Sequence, residues 1–240
     1  MAKVIGKDTY LEEQRNDHSI NGFFLIYVFF IAVISYGIFL FSFHFLQPAS
    51  NIFGFILIAI YLILNKPINR EIRLKWDYAY GLLGEQSVQK ILEVLPNSYK
   101  VISNVVLPGK SSNIDFVVIG PNVVLAIEVK SHAGRISYDG QQLLRYGRKL
   151  EKDFLRQTNR EASDLYNYLK SLNIEIPYVE PILVFSSRFA SVRFGKRLID
   201  GVTVIGARWI LERIQTNANK ISLSVDQIGK IQNALESVSK

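Results

Sequence analysis

One stretch, Asn113 to Lys130, constrains the fold of this chain more than any other. It holds two apolar runs joined by the short turn Gly120-Pro-Asn122. Runs that are apolar on both faces are typical of central strands in a sheet that is covered on both sides. The rest of the polar part alternates helical and strand patterns. The sequence therefore predicts an α/β fold in which a mixed sheet is flanked by helices.

Three charged residues interrupt this apolar stretch: Asp115, Glu128 and Lys130. Glu128 and Lys130 are two residues apart, so on a strand they point to the same face. Pairing of the strands through the short turn would bring Asp115 close to Glu128. Two buried carboxylates repel each other unless a hard cation lies between them, and Mg²⁺ takes such oxygen ligands. Lys130 could then orient or deprotonate a water, or neutralise developing phosphate charge.

The wider context of these residues is more specific than the three charges alone. Gly81-Leu-Leu-Gly-Glu85 precedes them, and Gly134-Arg-Ile136 follows. Together with Asp115 and Glu128-Val-Lys130, these segments resemble the nuclease-related domain, NERD, of the restriction-endonuclease-like PD-(D/E)xK superfamily. The resemblance covers about Tyr78 to Ile214.

The resemblance implies a restriction-endonuclease-like fold and a role for each matching residue. Asp115 and Glu128 are expected to hold Mg²⁺ or Mn²⁺, and Lys130 is expected to position the attacking water. Glu85, on an apolar helical stripe, is expected at the rim of the site. Gln157, early in a predicted helix, is also expected at the rim, where it would orient a water or a phosphate. A surface position remains the alternative for Glu85 and Gln157.

A basic segment, Ser186 to Arg197, interleaves four cations with two phenylalanines. The cations are Arg188, Arg193, Lys196 and Arg197. This composition predicts nucleic-acid binding through phosphate contacts and base stacking, with a solvated loop as the alternative. The formal charge of +7 agrees with nucleic acid or an anionic membrane surface as a partner, although it also serves general solubility.

The region before the nuclease-like residues has a different character. No Asp, Glu, Lys or Arg occurs from Ser19 to Asn65. Ile20–Leu46 is long enough to cross a hydrocarbon core, Gln47–Asn51 has turn residues, and Ile52–Leu64 is apolar but shorter. Residues 20–65 are therefore predicted to form a transmembrane helical hairpin. The alternative is one span followed by a re-entrant or interfacial segment.

Lysines and arginines flank both ends of this apolar region, and its central turn has none. The positive-inside rule then places both termini in the cytoplasm, with the protein in the inner cell membrane. Residues 1–19 are a polar segment, without evident chemistry, that would form a short helix or stay mobile. Residues 66–77 are a basic connector that would hold anionic headgroups or, less directly, guide nucleic acid.

These patterns predict a nuclease domain over 78–215 and a C-terminal helix within 216–240 that packs on it. The expected function is metal-dependent hydrolysis of nucleic-acid phosphodiesters at the membrane, with DNA as the expected substrate. A nucleic-acid-binding module with little or no cleavage, or an interaction protein with a buried ion network, remains open. The oligomeric state is also open, a homo-oligomer included. Cysteine is absent, which excludes disulfides and thiolate metal sites.

Overall fold

A computed structural model describes residues 4–5, 27–28, 30–38, 47–195, 197–216 and 222–239. The chain forms two compact units. One combines Met1–Thr9 with Gly81–Lys240, and the other is Tyr10–Tyr80. The first unit contains the nuclease-like motifs. The described part of the second unit consists of helical residues at 27–28 and 30–38 and the beginning of a longer helix.

Within the described residues, two sheets are present, and their strands are numbered in chain order. The first seven are β1 (Val4–Ile5), β2 (Lys100–Val105), β3 (Ile114–Gly120), β4 (Val123–Lys130), β5 (Gly134–Tyr138), β6 (Leu143–Arg145) and β7 (Arg148–Lys149). The remaining four are β8 (Glu180–Phe185), β9 (Ala190–Val192), β10 (Leu198–Ile199) and β11 (Val202–Gly206). The large mixed sheet has the order β1-β2-β3-β4-β8-β11-β10, and the small sheet has the order β7-β6-β5-β9.

Four helices with defined bounds accompany the sheets in the described part of the chain. They are α1 (Gln47–Leu92), α2 (Phe154–Ser171), α3 (Ile210–Thr216) and α4 (Val225–Glu236). A 3-10 turn, Ala207–Trp209, leads into α3. The side chain of Asp153 accepts the Arg156 N–H at the start of α2. Ser224 and Gln227 form the predicted capping box at the start of α4.

Both faces of the large sheet are covered by helices. On one face, Val124 and Ala126 of β4 lie in a core with residues of α2 and α4 such as Leu165 and Ile231. On the other face, Leu125 and Ile127 lie in a core with residues of α1 and α3: Leu92 and Ile214. Alternate side chains of one strand thus enter two cores, which explains its unbroken apolar sequence. The predicted mixed sheet flanked by helices is confirmed.

The region before Tyr78 differs from its prediction. The predicted turn Gln47–Asn51 and the predicted connector 66–77 both lie within the single helix α1. Pro48 explains why the predicted turn is wrong, because proline is well tolerated in the first turn of a helix. The connector 66–77, for which no conformation was predicted, is helical because Arg, Glu, Lys and Leu are good helix formers, and Arg73 pairs with Asp77 one turn later at 3.8 Å.

The polar segment 1–19 also contains an unpredicted element. Val4 and Ile5 form β1, which pairs in parallel with Val101 and Ile102 of β2. Two residues are too few to give a strand pattern in the sequence, so this edge strand depends on its partner.

The described helices do not include one that is both long and apolar enough to cross a membrane. Much of the predicted hairpin 20–65 lies outside the described residues, and that prediction stays untested.

Candidate active site

The site is centred on Glu128, near the end of β4. Its side chain is 2% exposed and lies on the face of the sheet that α2 covers. One carboxylate oxygen, Oε1, accepts hydrogen bonds from the Lys130 ammonium and from Gln157 Nε2, the latter at 2.8 Å. The other oxygen, Oε2, is buried and receives no hydrogen bond from an amide, hydroxyl or ammonium group among the described residues. The carboxyl that can donate a proton to Glu128 is that of Glu161. A buried carboxylate that depends on such a shared proton is costly, which is typical of a site that binds a cation.

Asp115 of β3 lies beside Glu128, as the short turn predicted. The two strands pair antiparallel, with Phe116 opposite Ile127. Asp115 Oδ2 accepts the Val129 backbone N–H at 2.7 Å, which anchors its side chain at the β4 end. Burial raises the pKa of Asp115 well above its usual range, and the neighbouring Glu128 and Glu85 carboxylates raise it further. Ionisation of Asp115 is therefore disfavoured at this position.

Helix α2 contributes a carboxylate that the sequence did not single out as a site residue. Gln157 Nε2 donates to Glu128 Oε1 and also, at 2.9 Å, to Glu161 Oε1. Glu161 is 2% exposed, and its Oε2 likewise receives no hydrogen bond from an amide, hydroxyl or ammonium group within the described part of the chain. Burial and the charge of Glu128 raise the pKa of Glu161 to about 8. The sequence feature that could have identified Glu161 is its position one helical turn after Gln157, on the same helix face.

Lys130 is the cation of the cluster. Its Nζ donates to Glu128 and lies 4.9 Å from the centre of the Phe154 ring. Burial by itself would lower the pKa of Lys130, but Glu128 and Asp115 outweigh this, so the pKa lies above its ordinary value. A protonated ammonium is a donor and a positive charge. This state suits the predicted roles of orienting a water and of neutralising charge on the phosphate.

Glu85 reaches the site from α1. It is half-buried, and its charge contributes to the raised pKa of Asp115. The preceding residue explains the close approach of this part of α1. A Cβ at Gly84 would lie 2.5 Å from Ser186 Oγ and 3.2 Å from Ser131 Cβ, both just beyond the ends of β8 and β4. A side chain at Gly84 would have to displace the Ser186 hydroxyl, so glycine here lets the helix contact the sheet closely.

The predicted nucleic-acid-binding residues lie apart from this buried cluster. Arg188 and Arg193 are exposed, and Arg193 lines a cavity of about 440 Å³ together with Arg208 and Trp209. Arg197 is also exposed. Lys196 is outside the described residues. The segment is not a plain loop, because it contains β9 and leads into β10.

The donor chemistry of the cluster fits a hard divalent cation. Asp115 and Glu128 supply carboxylate oxygens at one strand pair, and Glu128 Oε2 receives no hydrogen bond from an amide, hydroxyl or ammonium group of the described residues. No group of three or more His, Cys, Asp or Glu residues arranged to hold a metal ion occurs among the described residues. Mg²⁺ is commonly bound by only one or two carboxylates, with waters and substrate phosphates completing its shell. Two carboxylates are therefore sufficient for this type of site.

Comparison with known proteins gives one match. Residues 80–186 match the family described as NERD, nuclease-related domain. No curated protein and no solved structure matches the chain. The matched segment runs from α1 to Ser186 and includes Glu85, Asp115, Glu128, Lys130 and Gln157. It ends before β11 and α3, although the motifs suggested an extent to about Ile214. The match thus supports a nuclease-related domain at residues 80–186.

Proposed function

We propose that this protein is a metal-dependent nuclease that hydrolyses phosphodiester bonds of nucleic acid, with DNA as the expected substrate. The observation that carries the proposal is the buried cluster at the β3–β4 strand ends. Asp115 and Glu128 lie side by side there, with Lys130 and Gln157 bound to the same Glu128 oxygen. A nuclease-related family match over the same residues supports the reaction class.

Asp115 and Glu128 would hold Mg²⁺ or Mn²⁺, which when bound supplies charge stabilisation and an activated water. Glu128 is kept in place by Gln157 from α2, and the Asp115 side chain is kept in place by the Val129 N–H. The Lys130 ammonium orients the attacking water and offsets negative charge that builds up on the phosphate oxygens. The water oxygen bonds to phosphorus and loses one proton to solvent, the bond to the leaving oxygen breaks, and that oxygen takes up a proton from solvent.

Cleavage assays on the full-length protein test this proposal. Labelled single- and double-stranded DNA and RNA are incubated with Mg²⁺, Mn²⁺ or EDTA. We expect cleavage with a divalent cation and none with EDTA. Asp115→Asn and Lys130→Met variants should fold and lose cleavage, whereas Lys170→Met, an exposed lysine at the far end of α2, should cleave normally.

Two results would contradict the proposal. One is full cleavage by a folded Asp115→Asn variant, which would place the chemistry elsewhere. The other is metal-independent binding of nucleic acid without cleavage of any substrate, which would make the domain a binding module.

We further propose that residues 20–65 anchor the domain to the inner membrane by a helical hairpin, with both termini in the cytoplasm. The charge distribution supports this topology. The pairing of β1 with β2 gives independent support, because it joins residues before and after the apolar region in one sheet. Chain segments that share a sheet lie on the same side of a membrane, so any crossing between them must occur an even number of times.

Cysteine labelling tests the topology, since the chain has no native cysteine. Single cysteines replace Ala2, Ser50 and Ser239 in turn, and intact cells are treated with an impermeant maleimide. We expect labelling of Ser50→Cys alone. Labelling of Ser239→Cys from outside would place the nuclease domain on the exterior and overturn the proposed topology.

A further inference from the structure

Two exposed aromatic residues lie on segments that lead away from the candidate site. Tyr146 and Phe189 are each 67% exposed. Tyr146 lies on the segment that follows β4, the strand with Glu128 and Lys130, and Phe189 lies on the segment that follows the neighbouring strand β8, where the Ser186 N–H donates to the Lys130 carbonyl. The segment with Tyr146 follows β4 through β5 and β6, and Phe189 comes four residues after the end of β8.

The two residues meet at Gly134, the first residue of β5. The Gly134 N–H donates to the Phe189 carbonyl at 3.0 Å. Gly134 has a φ of +102°, and a Cβ there would overlap the Tyr146 ring, so the ring lies directly against the glycine backbone. Gly134 itself is only four residues after Lys130. Both aromatic residues thus contact the same backbone position, Tyr146 by its ring and Phe189 by its carbonyl.

Tyr146 occupies a position where a tyrosine is unfavourable for the fold. Tyr146 and Gly147 form the two-residue turn between β6 and β7, with φ values of +52° and +75°. Two positive φ angles are typical of a type I′ turn, which strongly prefers Asn, Asp or Gly at its first position. A bulky residue in this conformation costs of order 1 kcal/mol and is found mainly at functional positions. Turn formation therefore does not explain this side chain.

Each ring is accompanied by an arginine. The Arg145 guanidinium lies 5.9 Å from the centre of the Tyr146 ring, and the Arg188 guanidinium lies 4.6 Å from that of Phe189. Arg145 is held in place by a 2.7 Å hydrogen bond to the Ala133 carbonyl. The small sheet also exposes three other cations: Arg135, Arg148 and Lys149.

Cations outnumber carboxylates on these segments. Residues 134–149 contain four cations, Arg135, Arg145, Arg148 and Lys149, and one carboxylate, Asp139. The surface around Tyr146 and Phe189 is therefore both basic and aromatic.

We propose that Tyr146 and Phe189, with Arg145 and Arg188, form a stacking site for unpaired bases, so that single-stranded nucleic acid is the preferred substrate. This inference rests on the proposed nuclease function for the class of its ligand. Exposed rings bind unpaired bases by stacking, while arginines beside them contact the phosphates. A duplex presents its phosphates to the same arginines, but its bases are stacked on one another. The rings therefore do not add to its binding affinity.

Binding is measured on the full-length protein in EDTA, so that no strand is cleaved. The probes are a fluorescent single-stranded oligonucleotide, a duplex of the same length and an abasic strand. Tyr146→Leu should weaken single-strand binding by about 5- to 100-fold, the range expected for loss of one stacked base. Tyr146→Phe keeps the ring and should bind as the native protein does. Binding of the duplex and of the abasic strand should change little in either variant.

Phe189→Leu should reproduce the effect of Tyr146→Leu, and it carries the test if Tyr146→Leu does not fold. A 2-aminopurine in the single strand should change its fluorescence on binding to the native protein and to Tyr146→Phe, but not to Tyr146→Leu. Equal affinities of the folded Leu and Phe variants would overturn the stacking site, as would an equal loss for single strand and duplex. Failure of cleavage with every metal, with intact stacking, would instead contradict only the nuclease function.

Discussion

Two glutamates on neighbouring strands, Glu128 of β4 and Glu180 of β8, are both almost completely buried, yet their surroundings are opposite. Glu180 Oε1 accepts from Thr203 Oγ1 at 2.9 Å and from the Arg213 guanidinium at 2.5 and 3.0 Å. Glu128 also has a cation, Lys130, at one oxygen, but it shares that cation with Asp115 and Glu161, and its other oxygen receives no hydrogen bond from an amide, hydroxyl or ammonium group within the described residues.

The comparison shows that burial of a charge does not by itself indicate a functional site. A buried carboxylate whose bonds are completed by a cation is part of the scaffold, and removing its partner is destabilising. A buried carboxylate that is crowded by like charges is held in place by the rest of the fold at a cost, which is typical of sites that bind a cation or a substrate. The two glutamates should therefore respond oppositely to the same substitution.

The largest effect is expected for Glu128→Gln. The change removes one metal-binding charge, so cleavage should fall about 1,000-fold, in line with the several kcal/mol that a catalytic metal supplies. Folding should change little, because Lys130 loses the Glu128 charge but keeps Asp115 and Glu161 as neighbouring carboxylates, and the crowding among the three acids is relieved. Initial cleavage rates and thermal unfolding of the same preparation measure both properties. Cleavage within about twofold of the native rate would remove Glu128 from the site.

Glu180→Gln should have the reverse outcome. It leaves the Arg213 guanidinium, whose side chain is 16% exposed, without its charge partner. The free energy of unfolding should fall by about 3 kcal/mol, the lower end of the range for breaking a buried pair. The folded fraction should cleave normally. Denaturant unfolding measures the stability, and a loss of cleavage at full stability would show that the two glutamates belong to one functional site.

The pH dependence of stability should separate the two environments further. The pKa of Glu161 is raised to about 8, so between the unfolded value and about 8 the folded state holds a proton that the unfolded state has released. Stability then falls as pH rises through this window, by up to about 1.4 kcal/mol per pH unit. Glu161→Gln cannot ionise and should flatten the slope. Denaturant unfolding of both proteins at about pH 5 and about pH 8 measures this slope. An unchanged slope in the Glu161→Gln variant would show that Glu161 is not the group with the raised pKa.

The smallest effects are expected from the neutral partners of each glutamate. Gln157→Leu removes the hydrogen bonds to Glu128 and Glu161, and cleavage should fall about 10-fold, as is usual for residues that orient metal ligands. Thr203→Val removes the bond to Glu180 and should cost about 1 kcal/mol of stability without slowing cleavage. Cleavage rates and unfolding curves are measured in parallel for the two variants. A loss of stability without a slower rate in Gln157→Leu would show that Gln157 supports the fold and not the reaction.

Much of the site was predictable because it depends on local geometry. Side chains two residues apart share a face of a strand, so Glu128 and Lys130 had to lie together once β4 was predicted. A three-residue turn between two apolar runs then aligned Asp115 with Glu128. Gln157 was placed on a helix from its periodicity, although only the motif resemblance indicated that it faces the site.

Other features depended on contacts between segments far apart in sequence. Glu161 lay one helical turn from Gln157 in the prediction, but only the packing of α2 over β4 made it a buried neighbour of Glu128. The strand β1 exists because β2 offers a free edge, and two residues give no periodic signal. The helix α1 runs through a segment that composition suggested was a linker, since helix propensity is weakly tied to polarity.

By itself, the sequence determined the strand pair, the cap of α4, and the shared face of the charged residues. These follow from periods of two and 3.6 residues and from hydrogen bonds between near neighbours. Only the tertiary structure decided which buried carboxylate is satisfied and which is not. It also decided that Tyr146 lies against Gly134. Both depend on how sheets and helices pack, and packing brings together residues whose separation along the chain leaves no local signal.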